Sequence, residues 1–120
     1  MGITYVDGIV TGPTGKQATL EFLVDSGAMY TLLPYQTWRA IDLTADQAQV
    51  MSFSLADGTR VGRRVSECRI SLPQGQRHTP VILGEPGDDQ PLLGVVTLEE
   101  FGLMLNPFSR TLEPMRMLLT

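Results

Sequence analysis

The amino-acid sequence predicts an all-β domain with one or two short helices, and three observations carry that reading. Twelve glycines and eight prolines fall between short apolar alternations at intervals of about ten residues, the pattern of many short strands. Gln17 to Val24 places Ala18, Leu20, Phe22 and Val24 on one face of an extended segment. Asp57-Gly58 separates two further extended runs, where glycine accepts the positive φ of a tight hairpin turn. With 120 residues, 42% of them hydrophobic, residues 1–120 read as a single domain that buries roughly two thirds of its unfolded surface, which excludes disorder as the main state.

The elements follow in order. Ile3 to Val10 makes a first strand, Thr11 to Gly15 a turn, and Gln17 to Val24 a second strand that runs straight into Asp25-Ser26-Gly27. The chain then continues extended through Leu33, and Pro34 starts a short helix carrying Trp38 and Ile41, with Trp38 facing the core. Met51, Phe53 and Leu55 alternate with Ser52, Ser54 and Ala56 up to the Asp57-Gly58 turn. Thr59 to Leu72 is extended with a kink at Gly62, and a strand covers Pro80 to Leu83. A loop from Gly84 to Pro91 leads to Leu92-Leu93-Gly94. Thr97 and Glu100 form a capping box that starts a helix ended by Gly102. Leu103 to Leu105 and Thr111 to Leu119 close the chain as strands around Asn106-Pro107.

Composition excludes several function classes. No stretch reaches the roughly 18 apolar residues of a membrane helix, and no basic segment followed by an apolar one stands near Met1. The expected location is therefore the cytoplasm, with no membrane contact. Nine basic against thirteen acidic residues give a net charge of −4, with the positives scattered, so nucleic acid is not an expected partner. One cysteine, Cys68, excludes an internal disulfide, and one histidine, His78, leaves little for a metal site, so neither metal nor cofactor is expected. A Cys68-His78 thiol hydrolase is conceivable, but Cys68 alternates with Ile70 and Leu72 as on a buried strand face.

The segment that points to chemistry is Leu23-Val24-Asp25-Ser26-Gly27-Ala28, an acid, a hydroxyl residue and a glycine at the end of an apolar strand. Asp, Ser and Gly also make plain turns. Here, however, Phe22, Leu23 and Val24 precede the tripeptide and Ala28, Met29, Leu32 and Leu33 follow it, so the aspartate is desolvated, which costs free energy unless a site uses it. The second element is Pro91-Leu92-Leu93-Gly94 before a helix.

Those two elements with a hairpin between them resemble the single-domain, retropepsin-like aspartic proteases, the family of retroviral proteases and their bacterial and cellular relatives. The resemblance runs from about Gln17 to Pro107 and includes the string Phe101-Gly102-Leu103-Met104-Leu105-Asn106. It implies a closed acid-protease β-barrel, active as a two-fold homodimer on a peptide or protein substrate. It implies a catalytic loop at Asp25-Ser26-Gly27-Ala28, a flap around Asp57-Gly58, and a brace for the loop at Leu92-Leu93-Gly94. The hydroxyl of Ser26 would bond across the dimer, and the Gly27 amide would bond the Asp25 carboxylate. Leu23, Ala28, Tyr30, Leu55 and Val61, with Asp57 and Gly58 at the flap tip, would line the substrate cleft.

The chemistry agrees with a dimer. Peptide hydrolysis can be driven by two carboxylates that share a proton and hold one water, and this chain has a single acid-hydroxyl-glycine loop. A two-fold axis would bring Asp25 and its symmetry mate together. The chain also departs from the retroviral pattern. Met29 and Tyr30 stand where retroviral members carry two acids, and Val95 stands where they carry an arginine, so apolar packing is expected in place of that ion pair. Ser26 replaces the commoner threonine, the tip Ala56-Asp57-Gly58 is more polar than a glycine-rich one, and the chain continues from Pro107 to Thr120. An aspartic endopeptidase is thus the leading reading. A non-catalytic dimerisation or peptide-binding module of the same fold is its alternative.

Overall fold

The structure is a computed structural model and describes residues 3–116 and 119. Among the described residues, nine strands and two short helices follow one another as β1 (Tyr5–Thr11), β2 (Gln17–Val24), β3 (Thr31–Leu33), α1 (Tyr35–Ala40), β4 (Gln49–Ser54), β5 (Arg60–Leu72), β6 (Gly75–Leu83), β7 (Leu92–Leu93), α2 (Val95–Glu100), β8 (Leu103–Asn106) and β9 (Thr111–Pro114). The mostly-β expectation therefore holds. Seven strands form one sheet in the order β1-β2-β7-β3-β6-β5-β4, and β1 also pairs with β5, so the pairing returns to its first strand with β4 left outside the ring.

Period-two patterning builds this sheet. Phe22 and Val24 of β2 are buried, with Ala18 and Leu20 packed on the same core, and the alternation continues in Cys68, Ile70 and Leu72 of β5 and in Val81 and Leu83 of β6. β5 is long enough to do two jobs. Its Val65–Leu72 half pairs with β6, and Arg69–Ser71 also pairs with β1, while Arg60–Arg64 pairs only with β4 and Val65 pairs with both β4 and β6. The β4–β5 hairpin thus stands out from the ring. On the other side of the core, Trp38 of α1 is buried and its indole Nε1–H donates to the Gly84 carbonyl at 2.9 Å, as a buried Trp must find a partner.

Several boundaries differ from the sequence expectation. β1 begins at Tyr5 rather than Ile3, which is exposed, and runs on to Thr11 because Thr11 pairs with Gln17. β6 begins at Gly75, well before Pro80, because backbone pairing with β5 holds Gln76, Arg77 and His78 in the strand although their exposed side chains show no apolar pattern. α2 begins at Val95 with Gly94 as its N-cap and no side-chain cap bond, so Thr97 and Glu100 are not a capping box. β9 ends at Pro114, where its four-residue partner β8 is exhausted. Of the expected strand to Leu119, residues 117 and 118 lie outside the described residues. A 3₁₀ turn at Ala45–Gln47 was not expected.

Candidate active site

Asp25 is delivered by β2. Its last residues pair in parallel with β7, Leu23 with Leu92 and Val24 with Leu93, and the pairing continues past the strand end, where the Asp25 amide donates to the Leu93 carbonyl at 3.1 Å. Leu93 is fully buried, so the backbone from which Asp25 projects is tied to the core. The chain then turns, with the Ala28 amide donating to the Asp25 carbonyl at 3.1 Å and the Gly27 amide to Asp25 Oδ1 at 2.9 Å. The second of these is a charge-assisted bond from a residue two positions on. Asp25 is half-buried, while Ser26 and Gly27 are exposed.

The far side of the loop is held by α2. The first amides of a helix have no partner within it, and here Val95 N–H donates to the Ala28 carbonyl and Val96 N–H to the Met29 carbonyl, each at 2.9 Å. The Asp25 loop itself caps α2, which is why Thr97 is not needed as a cap. The Thr97 hydroxyl instead lies buried between Thr31 Oγ1 at 2.6 Å and Thr79 Oγ1 at 2.8 Å, and Thr31 Oγ1 accepts the Gly94 amide at 3.0 Å. Gly94 cannot be larger, because a Cβ there would meet the Tyr30 carbonyl carbon at 2.4 Å and the Met29 carbonyl oxygen at 2.8 Å. These backbone bonds join the two elements that an ion pair would otherwise join. Of the residues expected to pack there, Met29 is 62% exposed, while Tyr30 and Val95 are half-buried.

Over the loop stands the hairpin of β4 and β5. Its turn is closed by Leu55 N–H to the Thr59 carbonyl at 2.7 Å and Gly58 N–H to the Leu55 carbonyl at 3.0 Å, with Gly58 at φ +88°. Asp57 Oδ1 accepts the Thr59 amide at 2.9 Å, and that bond holds the exposed Asp57 carboxyl below its ordinary pKa. Between hairpin and loop lies a cavity of about 610 Å³.

Among the residues expected to line a cleft, Ala28, Tyr30, Leu55 and Val61 line this cavity, as does Gly27. Leu23 does not, and Asp57 and Gly58 occupy the exposed tip beyond it. Of the bracing residues, Leu92 also lines the cavity, whereas Leu93 and Gly94 are buried behind it. Sequence reasoning missed Met29, Leu32, Met51, Phe53, Arg63 and Ile82 as lining. Met51 and Phe53 were legible, since they share the parity of Leu55. The Thr31, Thr79 and Thr97 cluster was missed too, although Thr31 has the parity of buried Leu33 and Thr79 that of buried Val81.

Cys68 and His78 do not form a nucleophilic pair. Cys68 is buried on the core face of β5, and burial, helped by the Glu67 charge, pushes its thiol up to about 12. A protonated thiol is no nucleophile, and His78, exposed on β6, pairs with Arg69 rather than with Cys68. Among the described residues, no helix is long and apolar enough to cross a membrane.

None of the curated proteins matches the chain. The family model described as gag-polyprotein putative aspartyl protease matches residues 12–100, a span that takes in the Asp25 loop, the β4–β5 hairpin and all of β7 and α2. With the match covering most of its length, the chain belongs to this aspartyl protease family.

Proposed function

We propose that the protein is an aspartic endopeptidase, a closed acid-protease barrel that works as a two-fold homodimer with Asp25 of each subunit as its catalytic acid and base. The observation that carries this reading is the Asp25 loop. Its carboxylate is oriented by the Gly27 amide at 2.9 Å, its backbone is tied to Leu93 on one side and to α2 on the other, and the apolar cavity under the hairpin opens beside it.

Two carboxylates about 3 Å apart cannot both ionise cheaply, so one of the pair keeps a proton. The ionised Asp25 takes a proton from a water held between the two as that water attacks the scissile carbonyl carbon. The protonated Asp25 gives its proton to the carbonyl oxygen, which stabilises the gem-diol. In the second half the C–N bond breaks, the leaving amine takes a proton from the aspartate that received one from water, and the other aspartate regains its own from the gem-diol hydroxyl. Ser26, exposed beside Asp25, bonds to the partner's loop and sets the distance between the carboxylates. Substrate lies as an extended strand between hairpin and loop, with side chains against Ala28, Tyr30, Leu55 and Val61, while Asp57 and Gly58 close over it. Leu92, Leu93 and Gly94 hold the loop in place.

The test is cleavage of a mixed peptide library from pH 3 to 8, wild type beside Asp25→Asn, at a concentration where sedimentation shows dimer. Cleavage lost in the variant and blocked by a statine-type transition-state analogue supports the mechanism. A dimer that binds peptides without cleaving them supports the second reading, a peptide-binding module. That reading draws on the hairpin tip, whose exposed Ala56-Asp57-Gly58 is a polar lid for an apolar cleft. Activity rises steeply with protein concentration if each site is assembled from two chains.

A further inference from the structure

The cavity under the hairpin is lined almost entirely by apolar and small polar side chains, and Arg63 is the one charged residue among its described lining. Arg63 sits on β5 opposite Met51 and two residues from Val61, so it shares the inner face of the hairpin with the apolar residues of that wall. We propose that Arg63 determines specificity in this cleft by binding a carboxylate of the substrate, so that the preferred peptide is apolar with one acidic group placed against the hairpin. This inference deepens the protease reading and rests on it.

The guanidinium is available for that role. It carries five N–H donors in a fixed fork that suits a carboxylate. Among the described residues its only hydrogen bond is from Nη1 to the neighbouring Gly62 carbonyl at 3.0 Å. Its ion pair with Glu85 is 4.0 Å long, and the Glu85 side chain is 62% exposed. A pair of that length and exposure contributes little, so a substrate carboxylate can displace it. The Arg63 side chain is itself 32% exposed, deep enough in the wall to be partly desolvated and open enough to reach a ligand. Glu85 then acts as a resident competitor, holding the guanidinium when the cleft is empty.

The acidic group can be a Glu or Asp side chain or a free C-terminal carboxylate, and the test separates them. Peptides that are apolar except for Glu or Gln at one position, walked along the sequence, are prepared with free and with amidated C-termini. Their kcat/KM is measured near pH 6, where Glu is ionised, for wild type, Arg63→Gln, Arg63→Lys and Glu85→Gln. The same pairs are titrated onto the Asp25→Asn chain with and without Arg63→Gln, which reads the preference in binding alone.

The expected result is a preference of about tenfold for Glu over Gln at one position. Arg63→Gln abolishes it, Arg63→Lys partly keeps it, Glu85→Gln raises it about threefold, and added salt lowers it. A preference for free over amidated ends, lost in Arg63→Gln, assigns the carboxylate to the terminus instead. Equal handling of Glu and Gln and of both kinds of terminus by wild type, or a preference that survives Arg63→Gln in a folded protein, overturns the inference while cleavage stands. Binding with the preference but without cleavage overturns the protease reading and leaves Arg63 as the carboxylate-binding residue of a peptide-binding cleft. Binding of no peptide overturns both.

Discussion

The ring of Tyr30 meets that of Phe53 edge to face, with centroids 5.8 Å apart and planes at 89°. Tyr30 follows the Asp25 loop and Phe53 lies on β4, so this pair joins the floor of the cavity to the hairpin above it. Such pairs contribute about 0.5–1.5 kcal/mol beyond their buried area. A double-mutant cycle of Tyr30→Ala and Phe53→Ala should return a coupling in that range, and amide exchange in the hairpin should quicken in each single variant. Strict additivity would mean the rings do not hold the hairpin.

The Thr97 hydroxyl links Thr31 and Thr79 inside the core. Thr97→Val keeps the shape but deprives both neighbours of a partner, which should cost about 1–3 kcal/mol in denaturant unfolding. Thr79→Val, at the end of the chain of hydroxyls, should cost less. Equal losses would show that the network is not ordered around Thr97.

Cys68 makes stability depend on alkaline pH. Burial raises the folded-state value from 9.0 to about 12, so the folded chain holds a proton that the unfolded chain has released between those values. The contribution is complete below about pH 9 and is lost progressively as pH rises toward about 12. A Cys68→Ala variant should show a shallower fall in stability over that window. At neutral pH a thiol-specific alkylating reagent should label Cys68 only as fast as the chain opens, and rapid labelling of the native protein would contradict the buried position.

Asp57 responds in the opposite direction. The Thr59 amide holds its carboxyl below 3.8, so the turn is supported above that pH and the support is lost as pH falls through the lower folded-state value. In an NMR titration the Thr59 amide should shift together with the Asp57 carboxyl, both with a midpoint below 3.8. A midpoint at or above that value would separate the tip from this bond.

The elements that could be read beforehand are those whose signal is local. β2 was legible to the residue because Phe22 and Val24 alternate toward the core with Ala18 and Leu20 behind them, and the β4–β5 turn was legible because Asp57-Gly58 carries its own backbone chemistry. The start of β6 was not, because Gln76, Arg77 and His78 are held by the backbone of β5 and their side chains bear no trace of it. The start of α2 was misread for a related reason. Thr97 and Glu100 have the spacing of a cap, yet the amides that need capping are satisfied by the carbonyls of Ala28 and Met29 from far along the chain.

The sequence by itself determined the strand-rich class, the single acid-hydroxyl-glycine loop at Asp25, and the bracing pair Leu92-Leu93 with Gly94, since each depends on residue type at short spacing. Only the tertiary structure decided which side chains share a cavity. Ala28, Tyr30, Leu55 and Val61 meet there while Leu23 does not, and Arg63 is the one charged residue in the described lining. Parity along a strand says that two residues face the same way. What they face depends on strand order and register, here β7 beside β2 and β3, with β4 outside the ring, and these are set by long-range pairing that no local spacing records.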